Sequence, residues 1–226
     1  MILLETRNLH KIYEMDGEKV HAIDNVNLKI NKGDFLSIIG PSGCGKSTLM
    51  HLLGCLDKPT SGKIVFDGKD LSKLSENELA KIRNQKIGFV FQTYNLLPKT
   101  PAISNVELPL IYTNISPKKR KELAIKALKM VGLLDRANHY PSQLSGGQQQ
   151  KIAIARALIN NPSVILADEP TGNLDSKSGQ EIIHLLKNLN QKGNTIVLVT
   201  HDHSIAHQAK KIIHLLDGKI VQEERL

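Results

Sequence analysis

Short apolar runs, each closed by a glycine or a polar residue, alternate along this chain with stretches whose apolar positions recur every three or four residues. That rhythm predicts strands over residues 2–9, 20–28 and 34–39, broken by turns at Asp16-Gly17 and Lys32-Gly33. A helix over 47–53, a turn at 59–62 and a strand over 63–66 come next. Ser75 and Glu78 have capping-box spacing and open a short helix through Arg83. Residues 87–91, 164–169 and 195–200 read as buried strands, and 212–216 and 219–221 meet at Asp217-Gly218. Further helices are predicted over 149–158 and around a face of Ile182, Leu185, Leu186 and Leu189 that stops at Gly193.

Residues 93–145 break the alternation. Pro98, Pro101 and Pro109 interrupt an apolar stretch, and Ser116-Pro117 then supplies an N-cap with proline at the first helical position. The helix after it carries Leu123, Ala127, Leu128 and Val131 on one face and stops at Gly132. The segment reads as a helical lobe inserted between core strands. Its run of cations from Lys118 to Lys121 reads as a solvated face more than as a specific anion site, and since cations in a first turn oppose the helix dipole it does not serve helix stability.

The strongest chemical signal lies between the strand at 34–39 and the helix at 47–53. Gly40, Pro41, Ser42, Gly43, Cys44, Gly45, Lys46, Ser47 and Thr48 fit the phosphate-loop pattern G-x-x-x-x-G-K-[ST]. Its glycines let successive N–H groups turn inward on a phosphate, Lys46 reaches the β- and γ-phosphates, and the Ser47 hydroxyl suits Mg²⁺. The chain is therefore expected to bind a nucleotide. Leu144, Ser145, Gly146, Gly147 and Gln148 open another helix, and read equally as a second anion site or as an ordinary cap. Asp168 and Glu169 close an apolar strand. Neighbours on a strand point opposite ways, so one carboxylate is expected in a metal shell and the other at a water. Taken singly, Tyr13 reads as a surface or half-buried tyrosine, Gln92 as a loop residue and His201 as a core histidine. Together Lys46, Gln92, Asp168, Glu169 and His201 all fall at or just after a predicted strand's carboxyl end, where an open α/β sheet forms its crevice. One active site is expected there.

Composition narrows the setting. The 226 residues are 40% hydrophobic, enough for a packed interior. No apolar run approaches the ~18 residues of a membrane span, and the N-terminus has no signal-peptide pattern, so a cytosolic protein is expected. The net charge of +8 admits an anionic neighbour, but aromatics are only 4%, so no specific nucleic acid is expected. Cys44 and Cys55 bracket a helix that would hold them about 16 Å apart, too far for a disulfide. Both are expected as free thiols, with Cys44, inside the phosphate loop, open to a bulky thiol reagent and shielded by bound nucleotide.

With these motifs in this order, the chain resembles the ATPase subunits of ATP-binding cassette transporters over its whole length. The resemblance implies a phosphate-loop NTPase core of RecA-like α/β fold, with an antiparallel β subdomain and an inserted α-helical subdomain. It implies one domain over 1–226, its core in 1–92 and 162–226 and its helical part in 93–161. Gly-Cys-Leu-Asp57, Ile87-Gly-Phe-Val-Phe-Gln92 and Leu166 to Asp175 look most like the lipoprotein-releasing and macrolide-exporter branch, which also holds cell-division ATPases. Cys44 and Lys151 depart from the smaller residue and the arginine usual there. By resemblance, Tyr13 would stack on adenine and residues 40–48 would cradle the phosphates. Ser47, Gln92 and Asp168 would hold Mg²⁺, Glu169 would be the general base, and His201 would hold the γ-phosphate. Ser145, Gly146, Gly147, Gln148 and Asp175 would act on the ATP of a second copy. The implied assembly is a homodimer closed by ATP, seated on a separate integral-membrane permease at the cytoplasmic face. Signalling to cell-wall enzymes without transport is the alternative. DNA-repair ATPases of related fold fit less well, since their long heptad segments are missing, and so do tandem-cassette translation factors, since only one phosphate loop is present.

Overall fold

The computed structural model describes residues 1–15 and 17–226. The predicted turn at Asp16-Gly17 lies in part outside the described residues. Strands β1 (Ile2–Met15) and β2 (Glu18–Asn31) form an antiparallel pair longer than either apolar run suggests. The polar residues beyond Leu9 stay extended because each strand completes the other's hydrogen bonds. The pairing slips at several points, and the left-handed residues Asn8 and Asn25 lie at such irregularities. Thr6 bridges one, its hydroxyl donating to the Val26 carbonyl and accepting from the Leu28 N–H. β4 (Ser61–Phe66) joins the free side of β1, and β5 (Lys69–Asp70) completes a four-stranded sheet of order β2-β1-β4-β5.

The second sheet is built from β3 (Phe35–Ile39), β6 (Ile87–Val90), β7 (Val164–Asp168), β8 (Thr195–Val199), β9 (Lys211–Leu216) and β10 (Lys219–Arg225). Its order is β10-β9-β3-β8-β7-β6, all parallel except β10. β3 and β8 are buried on both faces, which is why they read as unbroken apolar runs. Alternation still sorts the side chains. Leu36, Ile38, Leu166 and Val197 face a core shared with the antiparallel sheet and helix α1 (Lys46–Leu53). Ile165, Ala167, Ile196 and Leu198 face the opposite core. That second core is closed by α3 (Ala102–Ile111), α4 (Pro117–Met130), α5 (Gly146–Leu158) and α6 (Ser176–Gln191).

Helix α2 (Glu76–Lys86) carries the predicted Ser75–Glu78 capping box and runs three residues past Arg83, to Lys86. Helices α3, α4 and α5 follow β6 and precede β7 in the chain, which is the predicted helical insertion. Gly88 allows β6 to lie close against α5, since a Cβ there would fall 2.5 Å from the Ala157 carbonyl oxygen. Ser116 precedes α4 as expected, but its side chain makes no capping bond. Pro117 at N1 and the helix's buried face of Ala124, Ala127 and Leu128 fix that start instead. Lys118, Lys119 and Lys121 are exposed, as a solvated face requires, whereas Arg120 is half-buried. Among the described residues, no helix is long and apolar enough to cross a membrane.

Helix α3 runs through sequence that the prolines had marked as irregular. Pro101 sits just before it, and Pro109 falls so near its end that one lost backbone bond is tolerated. Asn105 holds the preceding loop in place. Fully buried, it accepts from the Leu97 N–H at 2.7 Å and donates to the carbonyls of Leu97, Thr100 and Pro101. Asn105→Leu keeps the volume but strands those groups. It should lower the unfolding free energy by about 1–3 kcal/mol, read as a lower urea midpoint at unchanged slope. An unchanged midpoint would mean that the loop is held by other contacts.

Candidate functional site

Loops leave the carboxyl ends of β3, β6, β7 and β8 on the same edge of the parallel sheet; Gln92, Glu169 and His201 stand on them, Asp168 ends β7 and Lys46 opens the helix after β3. After β3 the backbone turns left-handed at Gly43 and Gly45 before entering α1. Gly45 has a second reason to be glycine: its φ is 101°, and a Cβ would lie 2.2 Å from the Ala22 carbonyl oxygen of β2. The hairpin behind the loop demands the residue as much as a phosphate in front would. The first turn of α1 contains no acid, so its N–H groups and dipole present positive potential to an anion. Lys46 is 9% exposed, and its ammonium donates to the Gly40 and Pro41 carbonyls at 2.8 Å each. Cys44 corrects the expectation made for it. Its thiol is buried against the inner core, not open within the phosphate loop, so a bulky reagent has no direct path to it. Burial also pushes the Cys55 thiol up to about 11, which leaves it protonated and unreactive at neutral pH.

Ser47 and Asp168 meet across α1 and β7, with Oγ 3.4 Å from Oδ1. Burial raises the Asp168 carboxyl against the lowering pull of Ser47 and His51. A half-buried carboxylate beside a hydroxyl is a hard-oxygen donor set that suits Mg²⁺, whose charge would offset that desolvation.

Glu169 turns away from Asp168, but not by strand alternation. β7 has ended at Asp168, and Glu169 itself is left-handed, with φ 45°. Its N–H is held by the Val199 carbonyl at 2.9 Å. Its carboxylate pairs with His201 Nδ1 at 2.7 Å, and the Thr200 hydroxyl approaches at 3.5 Å. The Glu169 side chain is 17% exposed and that of His201 70%, so the histidine reaches in from solvent and is not the core residue it resembled in isolation. The Gln92 amide goes elsewhere. It donates to Asn173 Oδ1 at 3.3 Å while Asn173 Nδ2 donates to the Gln92 carbonyl at 3.1 Å, so neither of these bonds reaches Ser47 or Asp168.

Ser145 realises the cap that the sequence allowed. Its hydroxyl accepts from the Gln148 N–H, and the Gln148 side chain accepts from the Ser145 N–H at 3.0 Å. Asp175 likewise caps α6, accepting from the N–H and hydroxyl of Ser178. Ser145 and Asp175 are exposed, Gly146, Gly147 and Gln148 are half-buried, and both helix starts are capped within the chain.

Tyr13 lies at the far end of β1. Its hydroxyl donates to Asp57 at 2.7 Å, with the Thr48 side chain also in reach, so the ring stands beside the phosphate loop. The Lys11 ammonium is 4.8 Å from the ring centroid and donates to Asp57 and to the Lys58 carbonyl. This Lys11–Asp57–Tyr13 clasp was not expected. Its one sequence signal was Asp57 in the motif shared with the exporter branch.

The fold and this edge define a phosphate-loop nucleotide-binding protein. A family model described as ABC transporter matches residues 23–172. An uncharacterized ABC transporter ATP-binding protein of Thermotoga maritima is 51% identical, over 99% of this chain and 95% of its own. The macrolide export ATP-binding/permease protein MacB of Bdellovibrio bacteriovorus is 51% identical over 99% of this chain, which spans only 34% of that protein. Among solved structures, the dimeric post-hydrolysis state of the ATP-binding cassette MJ0796 bound to ADP and Pi superposes with a TM-score of 0.91. It is 51% identical, with 99% of both chains covered. The chain belongs to the ABC transporter family, as an ATP-binding ATPase subunit.

The clasp predicts a pH dependence. Burial raises the Asp57 carboxyl, but Lys11, Tyr13 and the Lys58 N–H outweigh it and hold the group below the usual carboxylate range. A depressed carboxyl adds stability that is complete above its unfolded-state pKa of about 3.9 and is lost as pH falls through the folded value. Parent and Asp57→Asn should therefore differ in urea midpoint at neutral pH and converge as pH falls below about 4, through the depressed folded-state value. A gap independent of pH would contradict the assignment.

Proposed function

We propose that this chain hydrolyses ATP between two copies of itself and passes the resulting motion to a membrane permease. The likeness to the dimeric MJ0796 cassette carries the reading, together with one internal observation. Each chain has a phosphate loop and, apart from it, the capped Ser145–Gln148 helix start, with Ser145 exposed and the capping hydrogen bonds within its own turn. Two copies arranged head to tail would bring the helix start of each to the γ-phosphate held by the other. In this reading residues 93–161 form the helical lobe that carries this helix start, and residues 1–92 and 162–226 form the core. The likeness to MacB, whose single chain is both ATP-binding protein and permease, supports a permease partner and a place on the cytoplasmic membrane face.

The residues divide the work by position. Residues 40–48 bind the phosphates, and Lys46 exchanges its two loop carbonyls for the β- and γ-phosphates. Tyr13 stacks on the base, its ring held by Asp57. Ser47, Asp168 and Gln92 would hold Mg²⁺, the Gln92 side chain doing so in place of its bond to Asn173. Held there, Mg²⁺ would supply positive charge against the charge that develops on the phosphates. Glu169 accepts the proton of the attacking water once His201 leaves its carboxylate for the γ-phosphate. Ser145, Gly146, Gly147, Gln148 and Asp175 complete the site of the other copy.

Glu169→Gln cannot take that proton. It should bind ATP normally, and its hydrolysis should fall about 100-fold or more. Held in the ATP state, it should sediment as a dimer with ATP and as a monomer with ADP, which has no γ-phosphate to bridge the copies. Hydrolysis near the parent rate would overturn the assignment of the base, and equal sedimentation in both nucleotides would overturn closure by ATP.

A further inference from the structure

Gln150 lies on α5, one helical turn inside the exposed cap, and is completely buried. Its Nε2 donates to the Pro170 carbonyl at 2.8 Å and to the Phe91 carbonyl at 3.3 Å. Both partners are oxygens, so the NH₂ and not the carbonyl end must face them. Pro170 immediately follows Glu169, and Phe91 immediately precedes Gln92. One side chain of the inserted helices therefore grips the two strand-end turns that present the base and the glutamine. Further along the same helix, Arg156 is half-buried and donates to the carbonyls of Tyr94 and Asn95, two consecutive left-handed residues of the Gln92 loop.

The Gln150 Oε1 is buried and has no hydrogen-bond partner among the described residues. Leaving a buried acceptor unpaired is destabilising. An apolar side chain of the same length would remove that penalty but leave the Pro170 carbonyl without its donor, so the two costs offset and stability alone is a poor reason for an amide here. Its hydrogen bonds have a more specific use. Glu169 adopts a left-handed backbone that non-glycine residues adopt only when their surroundings enforce it. The Val199 carbonyl fixes the N–H side of that residue, and Gln150 fixes the carbonyl of the next.

We infer that Gln150 is a positioning residue for hydrolysis, tying α5 at once to the turn that aims Glu169 and to the turn that presents Gln92. A shift of α5 when Ser145 engages the other copy's nucleotide is thereby transmitted to both turns through one amide. The inference rests on the assignment of Glu169 as base.

The test uses the full chain and compares Gln150→Met, Gln150→Glu and Glu169→Gln for steady-state ATP hydrolysis, ATP affinity and thermal unfolding. Gln150→Met removes both donors at nearly constant volume. Its kcat should fall about 10- to 100-fold, with KM for ATP within about twofold of the parent and a melting temperature within a few degrees of it, because the lost donors and the removed unpaired oxygen offset. In Gln150→Glu the buried carboxyl is raised; while protonated it donates one O–H to the Pro170 carbonyl, and once ionised it opposes both carbonyls. Its activity relative to the parent should therefore be highest at low pH and decline as pH rises, a dependence absent from Gln150→Met. A Gln150→Met kcat within twofold of the parent would overturn the inference, as would a kcat loss matched by lost ATP affinity and lowered melting. Active Glu169→Gln would instead overturn the assignment beneath it, whatever the Gln150 variants do.

Discussion

Parallel pairing of β3, β8, β7 and β6 is the constraint on which the rest depends. Parallel strands must all end on one edge, so four chain segments far apart in sequence deliver Lys46, Glu169, His201 and Gln92 to a common crevice. Such a sheet needs cover on both faces. The antiparallel sheet with α1 supplies one cover, and helices α3 to α6 supply the other. Each cover also presses on the site. The hairpin sets the shape of the phosphate loop at Gly45 through the Ala22 carbonyl, and α5 sets the turns after β6 and β7 through Gln150 and Arg156. Packing and chemistry here use the same contacts.

The polar groups at this edge all have partners inside the chain: Lys46 with two loop carbonyls, Glu169 with His201, Asp168 with Ser47, and Gln92 with Asn173. Buried or half-buried charge requires such pairing. Catalysis in the proposed reading must then exchange internal partners for phosphate, metal and water, so the γ-phosphate and a second copy favour the reactive arrangement by replacing bonds that already exist. Their net gain is smaller than the new contacts alone would suggest.

Features written in local patterns were legible in the sequence. The phosphate loop, the Ser75 capping box, the apolar strands and the helix start at Ser145 each depend on residues close in the chain. Helix α3 was hidden because its prolines mark it as broken, whereas its boundary depends on the buried Asn105 and the packing of Val106 and Leu110. The reason given for the separation of Asp168 and Glu169 was also local, and it failed: the left-handed turn at Glu169 is fixed by Val199 and Pro170 contacts that no strand pattern encodes. Cys44 lies in the phosphate loop by sequence, yet its side chain turns into the core. Gln150 shows the same limit most plainly, since its partners are backbone carbonyls 59 and 20 positions away.

The central claim is that each nucleotide is completed by two chains, and complementation between two disabled chains tests it most directly. Lys46→Ala leaves Ser145 intact, and Ser145→Arg leaves the phosphate loop intact, so each variant alone forms only incomplete sites. A mixed dimer would contain one complete site, made from the phosphate loop of one chain and the Ser145 helix start of the other. Mixing the two inactive variants with ATP should therefore restore hydrolysis, in proportion to the mixed dimer formed. Mixtures as inactive as either variant alone would contradict the two-chain site.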